Sequence, residues 1–326
     1  MKRHRPLRSG LAALLLGAAL CAGLPAAESR AAPPDAATLD YRLAARELAP
    51  GVFVVEGAND DFSPANGCNI INTGFIVTDA GVLVVNTGPS RRYGEQLRAL
   101  VERTAGKPVA QVLHLNLHPD YFLGNQAFAD VPRLATAATA SGMAAEAKAY
   151  EDNLYRMCGD WMRGTEALLP DRTVQPGRLV LGGREFELRE YEGHTASDLV
   201  LVDRASGVVF AGGLVFADRI PTTPHARIEP WLKSLDALGA LPFRAMVPSH
   251  GPVVHDARGI GQTRAYLRWL DESFRSAAEQ GWDMAELLAQ PIPPEFRDWA
   301  ALRTEYVRNV AHLYPRYEQR ALGKGR

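Results

Sequence analysis

The sequence predicts an α/β (α+β) protein, a four-layer αββα sandwich with two β-sheets face to face between outer helices, followed by amphipathic C-terminal helices. Three observations predict it. A unit of strands, helix, strand and then a polar loop with histidine occurs twice, ending once at His118 and once at His250, and elements that each bury one face stack into layers. The 326 residues, 47% apolar and 22% charged, suffice for a large core. The apolar strands run straight into loops with His or Asp beside Gly, which is how a ligand set is mounted on a rigid sheet edge.

Taken in order, the chain opens with Lys2, Arg3, Arg5 and Arg8, an apolar run over 11–24 and small residues near Ala27 and Ala31. That is the pattern of a cleaved export signal over 1–31, too short for a good membrane span. A periplasmic or secreted location and no membrane span after signal removal are therefore expected. Residues 32–47, with Pro33-Pro34, read as a leader or linker, and the main domain is expected over 48–257.

Within that domain 52–55 is a short strand, and 69–78 with 82–85 read as a hairpin turned by Asp79-Ala80-Gly81. The turn Asn86-Thr87-Gly88-Pro89-Ser90 opens a helix whose apolar face carries Tyr93, Leu97, Leu100 and Val101. Residues 109–113 form the strand that delivers the loop 114–125. Met143, Ala147, Tyr150, Leu154 and Met157 make a helical core stripe over 139–164. A second hairpin turns at Gly182-Gly183, strands 199–202 and 208–211 follow, a helix spans 228–238, and strand 245–247 stops at Pro248-Ser249-His250-Gly251.

The segment 258–326 reads as a C-terminal helical extension packed on the domain, with helices over 258–281 and 296–314 separated by Pro291-Ile292-Pro293-Pro294. Pro315 is expected to end the second. Capping the active edge and forming a homodimer surface are both open to these helices.

The net charge of −1 becomes more negative once residues 1–31, which hold five bases and one acid, are removed. No basic patch points to nucleic acid. Cys68 and Cys158 are open to two readings, a disulfide in an oxidising compartment or two thiols in apolar surroundings.

His118 and Asp120, His194, Gly213 with Asp218 nearby, and His250 all fall just past strand ends. Imidazole and carboxylate suit zinc or iron, and a catalytic ion needs about three protein ligands plus an open position. His114, Asn116 and His118 share a side if the strand continues. Two residues of strand are roughly 6.6 Å, so His114 suits an orienting role better than ligation. His225 sits on the loop after the Gly213 strand, where it either reaches the cleft or stays exposed.

His118-Pro119-Asp120 with Gly124-Asn125, Gly193-His194-Thr195, Phe210-Ala211-Gly212-Gly213 and Pro248-Ser249-His250-Gly251, in this order, resemble the successive ligand loops of the metallo-β-lactamase-fold hydrolases. The likeness runs from about 48 to 255. Asn72-Thr73-Gly74-Phe75-Ile76-Val77 and Phe216-Ala217-Asp218-Arg219-Ile220-Pro221 resemble the exported SoxH-like enzymes, also called quinoprotein relay system zinc metallohydrolases. The resemblance implies the αββα sandwich, a zinc cofactor, and hydrolysis of an ester, thioester or lactam-like bond in a small-molecule substrate.

Against the family pattern His-x-His-x-Asp-His, this chain has Asn116, His118, Asp120 and Tyr121. The bridging aspartate is replaced by Gly213 and the aspartate of an earlier turn by Asn86. The retained set is His118, Asp120, His194 and His250, with Asp120 also the catalytic candidate. Asn116 and Tyr121 could donate only as weaker oxygen ligands. One zinc ion is expected rather than two, with iron or no metal also compatible. The alternative of a different class is a metal-free pseudoenzyme or binding protein, an accessory of periplasmic quinoprotein dehydrogenases.

Overall fold

The computed structural model describes residues 38–324; the export signal expected over 1–31 lies outside them. Seven strands form the first sheet in the spatial order of the chain. They are β1 (Arg46–Ala49), β2 (Val52–Val55), β3 (Thr73–Thr78), β4 (Gly81–Val85), β5 (Val109–Leu113), β6 (Arg133–Ala135) and β7 (Arg172–Thr173). The first four are antiparallel neighbours and the last four are parallel. Between them come helices α1 (Arg91–Ala105), the one-turn α2 (Pro119–Phe122) and α3 (Ala137–Cys158).

The second sheet is ordered β12-β11-β10-β9-β8. Its strands are β8 (Gly177–Leu181), β9 (Arg184–Tyr191), β10 (Asp198–Asp203), β11 (Val208–Phe210) and β12 (Ala245–Val247), with α4 (Ile228–Gly239) before the last. Helices α5 (Arg258–Glu279), α6 (Met284–Leu288) and α7 (Leu302–Lys324) complete the chain.

Strand alternation builds the four layers. Leu83 and Val85 of β4 face Phe186, Leu199, Leu201 and Phe210 between the sheets, while Val82 and Val84 turn outward to Tyr93, Leu97 and Val101 of α1. On the other side Val200, Val209 and Met246 pack against Trp231 and Leu235 of α4, Leu267 and Leu270 of α5, and Val310 and Leu313 of α7. Both faces of the central strands are therefore covered, which is why they read as unbroken apolar runs.

Two expectations change, and two strands are added. The leader expected through 47 joins the fold from Tyr41, whose hydroxyl bonds the Gly67 carbonyl at 2.9 Å and Ser90 Oγ at 2.8 Å, and β1 begins at Arg46. Pro315 does not end the last helix, which starts at Leu302 and runs through it to Lys324. An interior proline removes one backbone hydrogen bond at a cost of about 3 kcal/mol; packing on both sides offsets it, since Tyr314 and Tyr317 each lie 5.6 Å from the Phe274 ring of α5. Strands β6 and β7 have three and two residues, too short for a period-two signal.

Cys68 and Cys158 are joined in a disulfide with Cα atoms 5.9 Å apart, tying the loop before β3 to the end of α3. Helix α7 is latched by Arg308, 2.9 Å from Asp61 and 3.0 Å from Glu305; Glu305 also faces the buried guanidinium of Arg219 at 3.6 Å. No helix among the described residues is long and apolar enough to cross a membrane.

Candidate active site

The site forms where the C-terminal ends of the parallel pairs β4/β5 and β11/β12 meet one edge of the sandwich. After β5 the chain stays extended to His118, which precedes the first turn of α2, and Pro119 supplies the fixed φ that starts that turn. Asn86 holds the approach from β4: its backbone is left-handed (φ 59°) and its side-chain oxygen accepts from the Leu115 N–H at 3.1 Å. Gly124 closes the loop where a Cβ would stand 2.1 Å from the Thr87 carbonyl oxygen. His194 follows β9 and His250 follows β12. Asn72 braces the His250 loop, donating to the carbonyls of Pro248 at 3.0 Å and Gly251 at 2.7 Å.

The retained residues gather as two neighbouring groups. In one, the rings of His118 and His194 lie edge to face at 4.5 Å, and His118 Nε2 is 3.0 Å from Nδ1 of His225. In the other, His250 Nε2 is 3.5 Å from Asp120 Oδ2. The Ile70 carbonyl, 2.8 Å from His250 Nδ1, can only accept, so the proton sits on Nδ1 and Nε2 is bare.

The substituted positions have new occupations. The side-chain oxygen of Asn116 accepts the His118 N–H at 3.1 Å, and its amide nitrogen lies 2.5 Å from Asp198 Oδ1 and 3.3 Å from His194 Nδ1. Asn116 thus braces two histidines from behind. At Gly213 a Cβ would meet His194 Nδ1 at 2.1 Å, so the ring fills the room of the absent side chain. Tyr121 is buried, and its carbonyl accepts from Thr87 N–H at 2.8 Å and faces His114 Nδ1 at 3.2 Å. His114 therefore supports the loop, and burial drives its pKa down to about 3, leaving it neutral.

Burial sets the other protonation states as well. His118 and His250 are pushed far below the usual imidazole range, first by burial and then by the neighbouring histidines around His118 and by Arg219 beside His250. Burial also lowers His225. The Asp120 carboxyl moves the opposite way, up to about 7, because burial outweighs the opposing pull of Arg219. His225, with 31% of its side chain exposed and 4.0 Å from Glu146, marks the side of the cluster open to solvent.

The donors brought near one another are the imidazoles of His118, His194 and His250 and the carboxyl of Asp120. Two buried atoms at the cluster, His194 Nε2 and Asp120 Oδ2, have no hydrogen-bond partner, and such atoms are costly unless something binds them. Among the described residues no group of three or more His, Cys, Asp or Glu side chains is placed to hold a metal ion.

Sequence reading passed over Asp198, a fully buried carboxylate 3.7 Å from His194 Nδ1 that also accepts from the Thr195 N–H at 2.9 Å. His194 Nδ1 has two alternative neighbours: bare, it accepts from the donor-only Asn116 amide at 3.3 Å; protonated, as Nε2 must be bare to bind an ion, it gives up that bond and faces the Asp198 carboxylate at 3.7 Å. Its signal was present: an acid four residues after the histidine, opening a buried strand.

The family model described as Metallo-beta-lactamase superfamily matches residues 66–250. A metallo-beta-lactamase from Pontibacter korlensis is similar in structure with a TM-score of 0.57 at 22% identity, over 70% of this chain and 99% of that one. One from Hirschia baltica gives 0.53 at 20% identity, over 69% and 97%. One from Erythrobacter litoralis gives 0.54 at 17%, over 70% and 96%. No match was found among curated proteins.

Proposed function

The chain belongs to the metallo-beta-lactamase superfamily, and from that premise we propose an exported hydrolase that works with one metal ion and cleaves an ester, thioester or lactam-like bond of a small molecule. The observation that carries this is the pair of buried atoms without a hydrogen bond, His194 Nε2 and Asp120 Oδ2, in a cluster of histidines. His118 and His194 would hold the ion, with Asp120 and His250 beside them. Zinc, or iron, bound there supplies a Lewis acid that polarises a carbonyl and lowers the pKa of water.

The chain's own residues then have defined tasks. Asp198, 3.7 Å behind His194 Nδ1, favours the tautomer that leaves Nε2 bare. Asp120, a buried carboxyl at the cluster, is placed to accept a proton from water. His250, bare at Nε2 and 3.5 Å from that carboxyl, faces it as a neutral hydrogen-bond acceptor for its protonated form. The Cys68–Cys158 disulfide supports export to a periplasmic or extracellular space, where such bonds persist. The 72–77 and 216–221 motifs support the SoxH-like subgroup, since Asn72 braces the His250 loop.

A metal-free binding protein, an accessory of quinoprotein dehydrogenases, is the second reading. It is favoured by His118 Nε2 being engaged by His225. The test is hydrolysis of chromogenic ester, thioester and lactam panels by zinc-loaded and chelated protein. Turnover that chelation and His194→Ala both abolish supports the hydrolase; no turnover on any panel at full zinc loading contradicts it.

A further inference from the structure

We propose that Tyr150 is the substrate-binding donor of this site, its phenol hydroxyl giving a hydrogen bond to the acyl oxygen of the ester, thioester or lactam-like bond as that oxygen gains charge. The proposal rests on the hydrolase reading above and gives the cleft a recognition group that none of the histidine loops contains.

Three observations carry it. First, Tyr150 is half-buried, yet its hydroxyl oxygen is enclosed and has no hydrogen-bond partner in the protein. Buried hydroxyls are normally bonded, and one left open points to a partner that arrives from outside the chain. Second, that hydroxyl belongs to the histidine cluster. The Tyr150 ring meets His118 at 6.5 Å and Phe122 at 6.4 Å, edge on in both cases. Burial raises the phenol pKa above its usual range, with Glu146 and then Asp120 adding to the rise, so the group keeps its proton and is available as a donor.

Third, the tyrosine stands on a rigid wall of the solvent-open side. Glu146, one helical turn earlier on the same face of α3, lies 4.0 Å from His225 Nε2. Helix α3 is fixed at both ends, by Thr136 Oγ1 at 2.7 Å from Ser197 Oγ and by the Cys158 disulfide. It also presses on the loop before His118, since a Cβ at Gly142 would stand 2.8 Å from Leu117 Cδ2. The His225 loop on the other side is pinned by α7: Thr223 Oγ1 bonds Asn309 Oδ1 at 2.7 Å, Asn309 Nδ2 donates to the Pro221 carbonyl at 2.8 Å, and Arg316 donates to the Ala226 carbonyl at 3.2 Å. A donor held this firmly needs no reorganisation when charge develops in front of it. As water adds to the acyl carbon, the carbonyl π pair moves onto the oxygen, and the phenol stabilises it without giving up its proton. That oxygen has more than one lone pair, so a Lewis acid on one leaves another for Tyr150.

The experiment is steady-state kinetics of zinc-loaded wild type, Tyr150→Phe and His194→Ala on the ester, thioester and lactam panels, with zinc content, melting curves and inhibition by phenylphosphonate, a tetrahedral oxyanion. In Tyr150→Phe the expected result is a fall in kcat of about 100-fold with KM nearly unchanged, phosphonate inhibition weaker by at least about 10-fold, zinc content unchanged, and a melting temperature equal to wild type or higher. Unchanged kcat and phosphonate inhibition while His194→Ala loses turnover overturns the role of Tyr150 and leaves the hydrolase reading standing. An effect confined to KM, or a lower melting temperature with kcat intact, also overturns it. No turnover by zinc-loaded wild type on any panel overturns both.

Discussion

Gly213 and Asn116 together explain why the site holds on to some family residues and not others. With a Cβ at 213 placed 2.1 Å from His194 Nδ1, the glycine and the position of that ring depend on each other. Gly213→Ala should displace His194, cost about 1–3 kcal/mol by overpacking and weaken metal binding; a melting curve with a metal titration checks both. By the same argument Gly213→Asp alone does not restore a second ion. Asp120 gives a pH prediction. Its folded pKa of about 7 lies above its ordinary 3.8, so in metal-free protein its contribution to stability is present below about pH 4 and lost as pH rises through 7. Asp120→Asn should therefore gain melting temperature relative to wild type at pH 8 more than at pH 4. An equal difference at both would contradict the buried carboxyl. His118, Asp120, His194 and His250 were legible from loop motifs. Asp198 was legible only as an acid four residues after His194, a spacing that does not by itself show that its carboxylate turns back toward the ring, and His225 was legible only as an open choice, since its place depends on α7 contacts far along the chain.

At the scale of elements, the sheets and α1, α4 and α5 follow from period-two and helical spacing with ordinary capping, as at Ser90, whose side chain accepts from the Tyr93 N–H at 3.0 Å. What the pattern missed was decided by tertiary contact: β6 and β7 exist because a parallel neighbour fixes two or three residues, and α7 crosses Pro315 because aromatic packing continues on both sides. The disulfide belongs to this scale. It closes a loop of 90 residues, for which chain entropy gives about 4–5 kcal/mol and native removals typically cost about 2–5. It also anchors the stretch that presents the Ile70 carbonyl to His250. Cys68→Ser with Cys158→Ser, or reduction of wild type, should lower the melting temperature by the equivalent of a few kcal/mol. Reduction that leaves melting unchanged would contradict a structural role.

The whole molecule divides its labour between a sandwich that presents loops along one edge and a C-terminal extension that fixes one of those loops. Arg219, buried and paired with Glu305 of α7, and Arg308, paired with Asp61, join that extension to the loops around Asp120. The four-layer arrangement was legible because both sheets repeat the same strand, helix and loop grammar; the reach of α7 across the site was not, because amphipathicity shows that a helix packs and not where. The central claim is that this fold, with three family donors replaced, still works through one ion. Metal content of the purified, folded chain, measured by elemental analysis after zinc loading and desalting, tests it most directly. A stoichiometry near one per chain that vanishes in His194→Ala is expected; two ions per chain, or none in folded wild type, would overturn the single-ion reading.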